Sequence, residues 1–174
     1  MNRAPGPVTP DTRHPRDRLA DHLRALRAFA IGLTRNVSMA DDLVQETVLK
    51  AWNKIDSFDP DSNMQAWLFT ILRNTFYSSL RKTKREVQDS DGIHAGGLIE
   101  RPAHDGKLAM RDFDRAFDQL SPEHREVLIL VGALGHSCEE AAEMMGVAVG
   151  TVKSRASRAR KRLAELLGLQ DGEG

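Results

Sequence analysis

Ser137-Cys138-Glu139-Glu140-Ala141-Ala142-Glu143-Met144-Met145-Gly146-Val147-Ala148-Val149-Gly150-Thr151-Val152-Lys153-Ser154-Arg155 is the stretch on which the fold turns. Ser137-x-x-Glu140 has the pattern of a capping box, in which the serine oxygen accepts from the third backbone N–H of a helix and the glutamate accepts from the serine's own N–H. Ala141, Ala142 and Met145 then supply an inward face, and Gly146 supplies the left-handed residue that ends the helix. A second helix is predicted from about Val149 to Leu167, and Lys153, Arg155, Arg158, Arg160, Lys161 and Arg162 fall on it with no acid between them. Short helix, glycine turn and longer basic helix make the outline of a helix-turn-helix.

The second helix of such a motif enters a major groove, so its first residues must be slender or polar and its flanks basic. Gly150 allows close backbone approach, and Val152 is predicted to face the core. Thr151, Lys153, Ser154 and Arg155 remain available to bases or phosphates, and Arg158, one turn on, extends the footprint. A charge run alone usually marks a solvated helix face. Here it follows directly on a capped helix and turn, which favours nucleic acid.

Upstream, Ser121-Pro122 has the form of an N-cap followed by proline at the first helical position, and Val127, Leu128, Leu130, Val131 and Leu134 continue to Gly135. Before it a block opens near Leu108, with Phe113, Ala116, Phe117 and Leu120 as its apolar face. From Val87 to Gly106 the pattern lapses into Asp, Ser, Gly and Pro, the composition of a linker, which as a flexible coil would span about 25 Å. An earlier block holds three amphipathic segments. Leu19, Leu23, Leu26, Ala30 and Leu33 form one. Ser38-x-x-Asp41, a capping-box variant, precedes the second, with Val44, Val48, Ala51, Trp52 and Ile55, and Trp52 is expected to pack inside. After turn-forming residues 58–63 comes the third, Leu68, Ile71, Leu72, Phe76 and Leu80, where Trp67 is read as core. The expected fold is all-α: two small helical domains at 18–86 and 108–170, a flexible linker at 87–107, and loose tails at 1–17 and 171–174.

Across 174 residues Lys plus Arg and Asp plus Glu balance at 25 each, so bulk charge does not point to nucleic acid. Its distribution does, because the basic C-terminal stretch contrasts with a cluster of Asp41, Asp42 and Glu46, and opposite surfaces then serve opposite partners. A hydrophobic share of 40% excludes a wholly disordered chain. The single cysteine, Cys138, excludes an intramolecular disulfide and a Cys-x-x-Cys zinc pair, and fits a reducing cytosol. The six histidines are scattered and are read as solvent residues; no metal or cofactor is expected. Neither an apolar leader nor a membrane-length apolar run is present, so a soluble, cytoplasmic protein is expected. With no Walker loop, His-Glu-x-x-His, nucleophile elbow or Gly-x-Gly-x-x-Gly, no enzyme is expected.

The helix-turn-helix residues, with Arg158-Ala159-Arg160, resemble region 4 of extracytoplasmic-function (ECF) RNA polymerase sigma factors. Ala40-Asp41-Asp42-Leu43-Val44-Gln45-Glu46-Thr47-Val48-Leu49-Lys50-Ala51-Trp52 resembles their regions 2.1 to 2.2, and Met64-Gln65-Ala66-Trp67-Leu68-Phe69-Thr70-Ile71-Leu72-Arg73-Asn74 their regions 2.3 to 2.4. Val131-Gly132-Ala133-Leu134-Gly135-His136-Ser137 resembles the alphaproteobacterial general stress response subgroup, whose members pair with NepR-type anti-sigma proteins. Cys138 stands where an aromatic residue is common in the family, and Ala148 where proline is frequent.

This resemblance implies a promoter-recognition subunit. Asp42, Gln45 and Glu46 would contact the clamp helices of the largest catalytic subunit of core polymerase, and the flap of the second subunit would hold region 4. Asp61, Ser62 and Asn63 would hold a flipped minus-10 base, with Arg73 and Asn74 beside it and Arg81 and Lys82 on phosphates. Thr151, Lys153, Ser154, Arg155 and Arg158 would read the minus-35 element. The alternative is a sigma-like decoy that sequesters an anti-sigma protein without binding promoters, a role that would not require the basic helix.

Overall fold

Residues 11–89 and 108–169 are described by the computed structural model, and among them every regular element is helical. Residues 1–10, 90–107 and 170–174, to which the flexible-linker and loose-tail readings mostly apply, lie outside the described residues. Residues 11–17 differ from the tail reading. Pro15–Arg18 forms α1 with His14 as its cap, and Arg13 reaches both Asp11 at 2.7 Å and Asp21 at 2.5 Å. Arg16 lies over the Trp52 ring at 5.1 Å, so local ion pairing and cation–π contact hold a segment that apolar patterning leaves unassigned.

A first unit is built from α2 (Leu23–Thr34), α3 (Val37–Lys54) and α4 (Met64–Asp89). Leu26, Phe29 and Leu33 of α2 meet Leu68, Phe69 and Leu72 of α4, all with no solvent exposure, and the Phe29 and Phe69 rings stand 4.9 Å apart. Asn36 caps α3, its side chain accepting from the Met39 amide at 2.9 Å. The helix therefore starts ahead of the expected Ser38 box, because Asn36 holds the extended backbone that an N-cap needs and Ser38 is already helical. Leu23 and Leu80, expected on the apolar faces, are 41% and 39% exposed, and Trp52 is 49% exposed where it was expected inside. Helix α4 runs on to Asp89 instead of ending at 86: its last turns are good helix formers that stay helical although wholly solvated.

The second unit comprises α5 (Leu108–Asp118), α6 (Pro122–Val127), a π-helical turn Leu128–Ala133, α7 (Cys138–Met145) and α8 (Val149–Leu166). Ser121 caps α6 by accepting from the His124 amide. The Ser137–Glu140 box is complete, with bonds of 3.0 and 2.8 Å, and the Ser137 amide, donating to the Glu140 carboxylate, holds that carboxyl below its ordinary range. Gly146 is left-handed at φ 65°. Phe113, expected on the apolar face, is 38% exposed; Ala116, Phe117 and Leu120 carry the burial on α5 and just beyond it.

The units pack on each other. Gly32 of α2 approaches Ile129 of the π-turn so closely that a Cβ there would stand 2.4 Å from the isoleucine Cδ1. Arg35, left-handed at φ 54° and capping α2, extends to Asp118 at 2.6 Å and Asp114 at 2.9 Å. Arg125 returns the bridge by donating to the Leu33 carbonyl at 3.0 Å, one of the C-terminal carbonyls of α2 that intrahelical bonding leaves open.

Removing the capping hydroxyl with Ser137→Ala is expected to destabilise the chain by about 1 kcal/mol, read as a lower midpoint in urea at unchanged slope.

Candidate nucleic-acid interface

Helix α8 presents two faces because its small and apolar residues recur at helical spacing. Val152, Ala156 and Ala159 are buried, so the helix backbone lies close against α7 and α6. Lys153, Ser154 and Arg158 face solvent, and Thr151 is half-buried. The Ser154 hydroxyl donates to the Thr151 carbonyl at 3.0 Å, and Arg158 folds back on Ser154, its Nε donating to the Ser154 carbonyl at 3.3 Å. Ala148 occupies the N-cap without a side-chain bond, which leaves first-turn amides of α8 available to an outside acceptor. Arg155 does not share the outer face. It is half-buried and turns toward the first unit.

The loop before α4 is rigid by local chemistry. Asp59 Oδ1 accepts from the Asp61 amide at 3.0 Å, and the Asp59 carbonyl accepts from both the Ser62 amide and hydroxyl, at 2.9 and 2.7 Å. Phe58 anchors its base beneath Trp67, ring centroids 4.9 Å apart. Asn63 Oδ1 accepts from the Ala66 amide at 3.1 Å, so it caps α4, and its NH2 is the part left to donate outward. Asp61, Ser62 and Asn63 are all exposed. Further along α4, Asn74 is exposed, Arg81 donates to Ser78 at 3.1 Å, and Lys82 stands 3.9 Å from Glu86.

Arg73 is the exception on this helix. Its guanidinium pairs with Glu126 of α6, a residue with no solvent exposure, and the Tyr77 hydroxyl donates to the other oxygen of that carboxylate at 2.9 Å. Burial pushes the Glu126 carboxyl up from its ordinary pKa, against the Arg73 charge and the Tyr77 bond; burial and then the Glu126 charge push the Tyr77 phenol up. Arg73, Asn74 and Arg81 thus line one cleft of about 290 Å³ together with Arg155 of α8, whereas Asp61 to Asn63 and Lys153 stay outside it.

A second surface lies on α3. Asp42 and Gln45 are exposed, and Glu46 pairs with Lys50 at 2.9 Å. Asp42 and Glu46 border a groove of about 200 Å³ floored by Leu43 and Phe76. Met39, Leu49 and Trp52 extend this stripe with apolar area, 56%, 65% and 49% exposed. Periodicity could not find them, because a large apolar side chain at helical spacing reads as core unless its partner's absence is known. Tyr77 and Glu126 were missed as well; the only signal was an acid directly before the apolar run from Val127. His136, read as a solvent residue, is instead largely enclosed, its ring edge-on to Phe69 at 5.7 Å. Among the described residues, no helix is long and apolar enough to cross a membrane, and no cluster of His, Cys, Asp and Glu could hold a metal.

Residues 19–86 match the family model described as Sigma-70 region 2, and residues 110–163 that described as Sigma-70, region 4. The chain is 52% identical over 158 residues to the ECF RNA polymerase sigma factor EcfG of Rhodopseudomonas palustris, covering 91% of this chain and 87% of that protein. It is 33% identical to the ECF sigma factor SigM of Bacillus subtilis, covering 79% and 85%. Among solved structures, that of the sigma factor RpoE in complex with the anti-sigma factor NepR from Bartonella quintana aligns with TM-score 0.79 at 54% identity, over 89% of this chain and 97% of that one.

Asp59→Ala is expected to raise the amide exchange rates of Asp61 and Ser62 while lowering global stability by no more than about 1 kcal/mol, measured by hydrogen exchange and denaturant titration.

Proposed function

From the premise that this chain belongs to the sigma-70 family, as an ECF sigma factor of the EcfG-like general stress response subgroup, we propose how its surfaces divide the work of promoter recognition. The α3 stripe, with Asp42, Gln45 and Glu46, binds the clamp helices of core RNA polymerase, and the flap of the second large subunit takes region 4. Asp61, Ser62 and Asn63 hold the minus-10 base extruded from the duplex, Arg73 and Asn74 flank it, and Arg81 and Lys82 follow the phosphates. Thr151, Lys153, Ser154, Arg155 and Arg158 engage the minus-35 element. Binding to single-stranded minus-10 bases offsets strand separation, while groove and phosphate contacts upstream set the register. No bond is made or broken by this chain; the polymerase supplies the nucleotide chemistry. Its place of action is the cytoplasm.

One observation carries this reading: α8 buries Val152, Ala156 and Ala159 while Lys153, Ser154 and Arg158 stay exposed, a helix seated by its apolar face and free to enter a groove by its basic one. That basic face also favours a promoter reader over a decoy. The similarity to RpoE, solved bound to NepR, supports an anti-sigma protein of NepR type as a further partner.

Purified chain added to core polymerase is expected to start specific transcripts in vitro; failure to join core, or joining it without any specific start, overturns the assignment. Lys153→Ala is expected to weaken promoter binding by holoenzyme roughly uniformly across sequences and to lower the salt-dependence slope by about one. Asn74→Ala should slow open-complex formation, followed by permanganate footprinting, more than it weakens assembly with core; the reverse order counts against the minus-10 role.

A further inference from the structure

Residues 11–18 carry charge and little apolar surface, yet they are tied to the loop that precedes α4. Arg13 joins Asp11 to Asp21, and its hydrogen bonds hold the Asp11 carboxyl down at about 2. The same carboxylate stands 3.6 Å from Arg18 Nε. Leu19, 4% exposed, anchors the segment in the core. Arg18, one residue earlier, is only 15% exposed along its side chain and lies over the Phe58 ring at 5.8 Å. Arg16 goes to the neighbouring turn, over Trp52 at 5.1 Å and toward Asp56 at 3.8 Å. Exposed ion pairs such as Arg13–Asp21 add little to a fold, so this chain of charges needs another reason to exist.

Phe58 supplies one, because it is where the loop is held from outside. Asp59 braces Asp61 and Ser62 from within, so residues 59–62 move as one piece. The far end of the loop is continuous with α4 through Asn63, whose carbonyl accepts from the Trp67 amide at 3.1 Å. The near end is placed by the Phe58 ring, 5% exposed, which meets Trp67 of α4 and Arg18 of the arm. A cation within about 6 Å of a ring face is attracted to it, more strongly where water is excluded. Groups that read a ligand lose their effect when misplaced by about 1 Å. Whatever seats Phe58 therefore decides how Asp61, Ser62 and Asn63 meet a base.

We propose that residues 11–18 are a positioning arm of minus-10 recognition: Arg18, held by Asp11 and seated on Phe58, fixes the loop that carries Asp61, Ser62 and Asn63 and so sets which base it accepts. Arg18 is a positioning residue and has no part in the DNA contacts. The proposal rests on the minus-10 assignment above, and the variants below separate the two.

Full-length chain with core polymerase is followed by its open-complex rate on a promoter it transcribes, and on versions with single minus-10 or minus-35 bases changed. Arg18→Ala is expected to lower discrimination among minus-10 bases about tenfold, the scale of one misplaced base contact, and to leave minus-35 discrimination and core affinity within about twofold. Arg18→Lys keeps a cation over the ring and is expected to retain minus-10 discrimination within about threefold; a lysine variant as poor as the alanine one overturns the proposal. Asp61→Ala and Asn63→Ala report on the loop itself. Loss in these with none in Arg18→Ala overturns the arm and leaves the minus-10 reading standing. No loss in any of the three strikes the minus-10 reading, and the arm falls with it. Loss in Arg18→Ala alone means that Arg18 acts otherwise than through the loop, and equal loss at both promoter elements with a lower urea midpoint means that it only stabilises the fold; either result overturns the arm. Should Arg18→Ala not fold, Asp11→Ala, which removes an exposed partner of Arg18, is expected to lower minus-10 discrimination about threefold, and unchanged discrimination there overturns the arm likewise.

Discussion

Glu126 sits without solvent between the Arg73 guanidinium and the Tyr77 hydroxyl, and the relation of the two helical units depends on how that buried charge is satisfied. Removing a carboxylate from water costs several kcal/mol, and burial accordingly pushes its pKa up. Within region 4 the Arg155 charge acts on it, but both hydrogen-bond donors come from α4. The carboxylate is satisfied only when α4 of region 2 supplies both donors, so the buried position makes sense in the docked arrangement and in no other. Arg125 follows the same logic in reverse, since one of the carbonyls it satisfies belongs to the end of α2.

Packing around the pair reinforces this. A glycine inside a helix costs about 1 kcal/mol relative to alanine, and Gly32 spends it where Ile129 needs the room. Arg35 adopts the left-handed conformation that most side chains avoid, and the two aspartates of α5 together with the Phe117 ring hold it there. Each feature is unfavourable to its own helix and is repaid across the boundary. Docking is therefore encoded in particular residues of both units.

Local features of the fold were legible in the amino-acid sequence. The Ser137–Glu140 box, the Ser121-Pro122 start, the Gly146 stop and the buried side of Val152 depend on neighbours within a turn or two, and the structure has all of them. What failed depends on distant neighbours. Leu23, Trp52, Leu80 and Phe113 repeat at helical spacing, yet among the described residues no neighbouring helix encloses them, and each is more than a third exposed. The end of α4 was placed early because apolar periodicity stops near residue 86, although helical propensity does not. Of the candidate site, the outward residues Lys153, Ser154, Arg158, Asp61 and Asp42 lie as expected on the surface, whereas the inward turn of Arg73 and Arg155 follows from tertiary docking that periodicity cannot express.

Buried ion pairs contribute little net stability compared with an apolar contact of the same size, because the attraction they gain is largely cancelled by lost hydration. For a rigid core this is a poor bargain. Here it fixes how the two units meet, because a slipped register would leave Glu126 buried and unpaired. The pair thus penalises wrong packing heavily while adding little to the strength of the correct packing.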